Sequence, residues 1–134
     1  MYPSSRNIND LHPRLRSIFV RFDSAMIKAG IDFIVTCTYR CDTDQNALFA
    51  KGRTVAGRVV TNAKAGQSKH NNVGDNERPA SLAFDIVIMT NGKPDWNVDN
   101  PAWRLAGKIG KSVGLQWAGD WTRMAEYPHF EISL

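Results

Sequence analysis

Ser81-Leu82-Ala83-Phe84-Asp85-Ile86-Val87-Ile88-Met89 is strongly apolar and carries a single charge. Its β-branched and aromatic content predicts a strand. Alternation puts Asp85 on one face with Ala83 and Val87, and Phe84, Ile86 and Ile88 on the other. A lone carboxylate in so apolar a strand is costly to bury unless it is paired or bound to a metal. The small Ala83 leaves room on the Asp85 face. A loop cap or an arginine partner is the purely structural alternative.

The rest of the chain supplies elements to pack around this strand. Leu11, Leu15, Ile18, Phe19, Phe22 and Met26 recur at helical spacing and predict an amphipathic helix from about Leu11 to Ala29, stopped by Gly30. Ile31 to Thr38 reads as a strand. Asp42 or Thr43 is a candidate cap for a short helix through Ala47 to Ala50, ended by Gly52. Thr54 to Gly66 reads as a short strand or irregular segment. Residues 66–80 are almost wholly polar and read as a long loop. Asn91-Gly92 is a turn signal. Asn100-Pro101 starts a helix over Ala102 to Val113, with Gly114 as its stop. Leu115 to Trp117 and His129 to Ile132 read as short strands. The whole is one α+β domain over residues 1–134.

Composition agrees with that class. The chain has 134 residues, 43% hydrophobic and 22% charged, enough to bury a core without staples. Seventeen Lys and Arg against 13 Asp and Glu give a net charge of +4. That charge suits nucleic acid, an anionic membrane or an anionic polymer such as cell wall. The positive charges are scattered without the basic-aromatic motif of a nucleic-acid module, so no nucleic-acid partner is expected. No apolar stretch of signal-peptide length follows the N-terminus, and no window approaches the ~20 apolar residues of a membrane span. The expectation is a protein made and kept in a cytoplasm, without stable membrane insertion. Cys37 and Cys41 would stand about 13 Å apart on an extended strand, a gap that a turn at Tyr39-Arg40 could close, and cytosolic usage favours reduced thiols.

Chemistry is constrained by the histidines, of which there are three. His12, in Leu11-His12-Pro13, has no partner at ligand spacing and reads as a surface or capping residue. His70 stands in Ser68-Lys69-His70, at the mouth of the polar loop that leads to Asp85. His129 stands in Glu126-Tyr127-Pro128-His129-Phe130-Glu131-Ile132, where Pro128 argues against a helix and for a strand start. Two histidines and one aspartate are a familiar catalytic zinc set with water in the fourth position. Such a site lowers the pKa of its water towards ~7. It then needs a carboxylate that is not a ligand as general base, and Glu126 fits. The tryptophans read as core or cleft walls, not as a stacking platform.

These segments resemble the metal-site motifs of the LAS metallopeptidases, which include D-Ala-D-Ala carboxypeptidases, hedgehog-type domains and phage endolysins with L-alanyl-D-glutamate peptidase activity. Two further stretches are similar to the endolysin branch: Tyr39-Arg40-Cys41-Asp42-Thr43-Asp44-Gln45 through Leu48-Phe49-Ala50-Lys51-Gly52-Arg53-Thr54, and Gly114-Leu115-Gln116-Trp117-Ala118-Gly119-Asp120-Trp121. The likeness runs from about Thr36 to Ile132. It implies an antiparallel sheet with flanking helices, of the hedgehog and D-Ala-D-Ala peptidase type. It implies one zinc ion per chain, bound by His70, Asp85 and His129, with Glu126 as general base. Arg40 would steady the oxyanion. Gln45 and Ser68 would support or touch substrate, and Trp121 and Tyr127 would line the cleft. Two features depart from the family pattern. Fourteen residues, Asn71 to Phe84, separate His70 from Asp85, and these could form a lid. Glu stands at 126, where endolysins often carry Asp.

The expected function is therefore a zinc endopeptidase that cuts the L-Ala–D-Glu bond of bacterial peptidoglycan stems for phage-type host lysis. It would act as a monomer without a separate wall-binding domain. It would wait in the host cytoplasm until another protein permeabilises the membrane. A D-Ala-D-Ala carboxypeptidase or dipeptidase is the enzymatic alternative, and a non-catalytic wall- or nucleic-acid-binding domain is the other.

Overall fold

The computed structural model describes residues 2–134. The sheet is built around the strand β2 (Ala83–Thr90). The strand β1 (Phe33–Cys37) runs antiparallel along one edge of β2. The other edge is shared end to end. The strand β5 (His129–Glu131) pairs with Ala83 to Asp85, and β3 (Lys93–Asp95) pairs with Ile88 to Thr90. The strand β4 (Gln116–Trp117) completes the sheet beside β5. The order β1-β2-β5-β4 places β2 inside the sheet, and most of its residues are buried.

Sequence reading missed β3, because Pro94 lowers its strand propensity and suits only an edge position. The Asn91-Gly92 turn that leads into it is present, with φ values of 53° and 76°. That twist suits a two-residue hairpin. The stretch Thr54 to Gly66 is irregular, with one isolated bridge between Lys51 and Val55.

All three helices form close to their expected places. Helix α1 (Pro13–Lys28) is capped by His12, whose Nδ1 accepts from the Arg14 amide at 3.1 Å. Helix α2 (Asp42–Ala50) starts after Cys41, which gives no side-chain cap. Asp42, an expected cap, instead lies with Asp44 in the first turn, where negative charge favours the helix dipole. Helix α3 (Pro101–Ser112) is capped by Asn100, which accepts from the Ala102 amide at 3.0 Å. No helix among the described residues is long and apolar enough to cross a membrane.

The two faces of the sheet differ. Leu15, Phe19, Phe22 and Met26 on α1 are buried against the face that carries Phe84 and Phe130. Phe84 and Phe130 are register partners and stack 5.4 Å apart at 15°. Phe19 and Phe22 meet them at 5.1 Å. Helix α3 lies on the same side, and Gly110 lets it approach the Phe130 ring closely. Alternation then turns Asp85, His129 and Glu131 to the opposite face.

A Cβ at Gly110 would sit 2.5 Å from Phe130 Cε2, inside van der Waals contact with a ring that its own stacking holds in place. Gly110→Ala should therefore lower stability by about 1–3 kcal/mol, read as a lower thermal midpoint. An unchanged midpoint would contradict this packing.

Candidate active site

Asp85 and His129 are register partners on β2 and β5, and Cys37 of β1 continues the same row. A register shift between Val35 and Cys37 brings Cys37 opposite Asp85. His70 arrives from a 3-10 turn, Lys69–Asn71. The Ser68 hydroxyl accepts from the His70 amide at 3.2 Å, and Asn71 Oδ1 accepts from the Ser68 amide at 3.1 Å. The Leu82 amide donates to the Lys69 carbonyl at 3.0 Å, which ties the turn to the start of β2.

Three side-chain atoms meet where these elements converge. Asp85 Oδ1 lies 3.1 Å from His70 Nε2 and 3.0 Å from His129 Nδ1, and the two nitrogens are 3.2 Å apart. The far nitrogen of each ring is already committed. His70 Nδ1 donates to the Thr38 carbonyl at 2.7 Å, and His129 Nε2 donates to Glu131 Oε1 at 2.8 Å. These bonds fix both tautomers so that two lone pairs and a carboxylate oxygen face one another. Such a cluster repels itself unless a proton or a cation stands within it.

The donor set fits a divalent metal. Two neutral imidazoles and a carboxylate are common zinc ligands, and the donors of a tetrahedral zinc lie about 3.3 Å apart. Cys37 is also near enough to share an ion with His70 and Asp85. Its sulfur, however, lies 3.7 Å from His70 Nδ1, the nitrogen bonded to Thr38. Cys37 therefore lies by the Nδ1 edge of the His70 ring, while His129 faces its Nε2.

Charge follows the same geometry. Burial opposes charge on His70, but the Asp85 carboxylate beside it outweighs this and raises its pKa to about 10. Burial likewise opposes charge on His129, and the bonds to Asp85 and Glu131 raise it. Burial works against the Asp85 carboxylate, yet the two rings hold it well below the usual carboxylate range. Without a cation, protons hold the cluster together.

The other expected site residues divide into two groups. Arg40, Ser68 and Glu126 share one cavity of about 230 Å³ with His70, Asp85 and His129. Arg40 donates to Asp85 Oδ2 at 3.4 Å and to Gln45 Oε1 at 3.1 Å. The Glu126 side chain forms no hydrogen bond or ion pair among the described residues, and burial pushes its carboxyl upward. Trp121 is half-exposed, with its ring centroid 5.5 Å from that of His129. Tyr127 packs edge-on against Trp117 and lines an adjoining groove. Gln45, expected to support or touch substrate, is fully buried and donates to the Ala63 carbonyl at 2.8 Å. It supports Arg40 from behind. The Asn71 to Phe84 segment, a candidate lid or substrate loop, lines none of the cavities at His70, Asp85 and His129. The walls of the adjoining grooves come instead mainly from within residues 58–63 and 121–128, with Gln67, Trp96 and Val98.

Sequence reading missed a brace behind the site. Glu131 holds His129, and Lys69 Nζ lies 3.6 Å from Glu131 Oε2 while donating to the Ile132 carbonyl at 2.8 Å. The turn that carries one histidine thus grips the strand that carries the other. Strand alternation from His129 to Glu131 was the available signal for that carboxylate. Nothing local could reveal Cys37, because only strand register brings it to the row.

Residues 61–132 match the peptidase family described as D-alanyl-D-alanine carboxypeptidase. The chain belongs to that family. The match spans His70, Asp85, Glu126 and His129 and stops short of Arg40. Family membership makes the chain a peptidase of the LAS metallopeptidase type. A curated relative, the peptidoglycan L-alanyl-D-glutamate endopeptidase CwlK of Bacillus subtilis, is 32% identical over 131 residues, which cover 92% of this chain and 74% of the relative. The crystal structure of the Serratia marcescens L-Ala D-Glu endopeptidase ChiX shares the fold, with a TM-score of 0.65 at 20% identity over 95% of this chain and 84% of that one.

Metal must displace the protons that hold the cluster, so zinc affinity should rise with pH below about 10, the raised His70 value. Chelator competition should show about a tenfold gain per pH unit for each proton expelled. Glu131→Ala should weaken zinc about 10–100-fold, and Glu131→Gln, which keeps an acceptor for His129, should lose less. Affinity independent of pH would count against the three-residue cluster as the metal centre.

Proposed function

We propose that this chain is a zinc-dependent peptidoglycan endopeptidase that hydrolyses the L-Ala–D-Glu bond of the peptide stem. The observation that carries the reading is the one cavity shared by the two histidines, Asp85, Glu126 and Arg40. His70, Asp85 and His129 would hold the zinc. Bound there, a zinc ion supplies Lewis acidity to a peptide carbonyl and makes nearby water more acidic. The Glu126 carboxyl has no hydrogen-bond or ion-pair partner among the described residues and its proton affinity is raised by burial, which suits a group that takes a proton and returns it to the leaving amine. Arg40 is anchored by Asp85 and Gln45 and keeps further N–H groups for a developing oxyanion. The printed activity of the Bacillus subtilis relative supports the bond assignment.

A D-Ala-D-Ala carboxypeptidase is the second reading, favoured by the description of the matching family. The endolysin role rests on the resemblance of the Tyr39 to Thr54 and Gly114 to Trp121 segments. It carries with it release from the host cytoplasm after membrane permeabilisation by another protein.

Glu126→Gln should retain zinc and lose about 10²–10⁴-fold in the rate of wall digestion. Wild-type rates in that variant would remove Glu126 from the mechanism. Mass spectrometry of digested muropeptides separates the two readings. A new free amine on D-Glu supports the endopeptidase, and released D-Ala supports the carboxypeptidase.

A further inference from the structure

A groove of about 860 Å³ is lined both by Asp85, Glu126 and His129 and by Trp96, Val98 and Val59. Its apolar side chains are exposed: Trp96 by 57%, Val98 by 48% and Val59 by 44%. Exposed apolar surface concentrated along one groove marks a ligand site. Trp96 is also held in place. Its ring stacks at 6.0 Å and 24° on Trp103, which is buried and donates from Nε1 to the Asp95 carbonyl at 3.1 Å. The Asp95 carboxylate accepts from Thr90, from Asn100 and from the Asn97 amide, each at 2.9 Å. The segment that bears Trp96 is therefore cross-linked on both sides, and one indole face is left bare beside the reaction centre.

We propose that Trp96 is the platform for the muramic sugar that carries the peptide stem. The inference rests on the endopeptidase reading above. In such a substrate the L-Ala nitrogen is joined through a lactyl group to the sugar. The sugar therefore lies about two residue lengths, or roughly 7 Å, upstream of the bond that is cut. A pyranose ring presents a face of C–H groups, slightly positive, that complements the negative face of an indole. The N-acetyl methyl finds Val59 and Val98 in the same groove.

A neighbouring groove that also reaches Glu126 suits the other half of the substrate. This groove, about 640 Å³, carries Arg123, Gln67 and Asn62. A cation with two amides matches the carboxylates that follow the bond. The proposal sets the sugar against Trp96, in a groove that Arg58 also lines, and the acidic stem towards Arg123.

The test compares kcat/KM for L-Ala–D-Glu cleavage in two substrates, a disaccharide-linked stem peptide and the same peptide without sugar. Wild-type protein should prefer the sugar-bearing substrate by about three- to tenfold, the worth of one good aromatic contact. Trp96→Ala should bring that ratio close to one, and Trp96→Phe, which keeps a flat face, should retain most of it. Equal rates on both substrates in the wild type would overturn the proposal, and so would an unchanged ratio in Trp96→Ala. A ratio lost in Trp121→Ala and kept in Trp96→Ala would overturn it by putting the sugar in the other groove. If wild-type protein cuts neither substrate at this bond, the endopeptidase reading itself fails and this proposal with it.

Discussion

Two imidazole lone pairs and one carboxylate oxygen held within 3.2 Å of one another are the constraint on which the site-bearing face depends. Left to themselves, these atoms repel. They stay together because each is fixed from behind: Thr38 for His70, Glu131 for His129, Arg40 for the outer oxygen of Asp85. Positive charge at the centre turns that arrangement from a cost into a binding site. The register shift in β1, the capped turn at His70 and the Lys69 brace all serve to keep the three donors in place.

The opposite face is built on different physics. Phe19, Phe22, Phe84 and Phe130 interlock in a dry aromatic layer, and helices α1 and α3 close over it. Folding energy on that side comes from apolar burial, which does not depend on pH or metal. The sheet can therefore hold a self-repelling polar cluster on one surface because its other surface is already stable.

Much of this was legible from residue patterns, for physical reasons. Leu15, Phe19, Phe22 and Met26 recur at helical period, and the alternation in Ala83 to Met89 separates the Phe84 face from the Asp85 face. The three residues of the cluster stood out because a charge in an apolar strand and histidines at element boundaries are rare and costly. What local pattern does not carry is pairing. The row Cys37, Asp85 and His129 exists only through strand register, and the burial of Gln45 only through packing against Ala63 and Arg40. The Lys69 grip on Glu131 joins residues far apart in the chain. Strand β3 was missed because an edge strand tolerates a proline that propensity counts against it.

The polar excursion between His70 and Asp85 closes upon itself. The Gly74 amide donates to the Arg78 carbonyl at 2.8 Å, the Ala80 amide donates to the Asn72 carbonyl at 3.0 Å, and Val73 bridges Pro79. Its ends are pinned side by side, so its length is uncoupled from the distance between His70 and Asp85. The spacing between two residues of one site along a chain is then a poor guide to their spacing in space. The same tip is a natural point for grafting: a foreign segment inserted there would leave the chemistry downstream undisturbed.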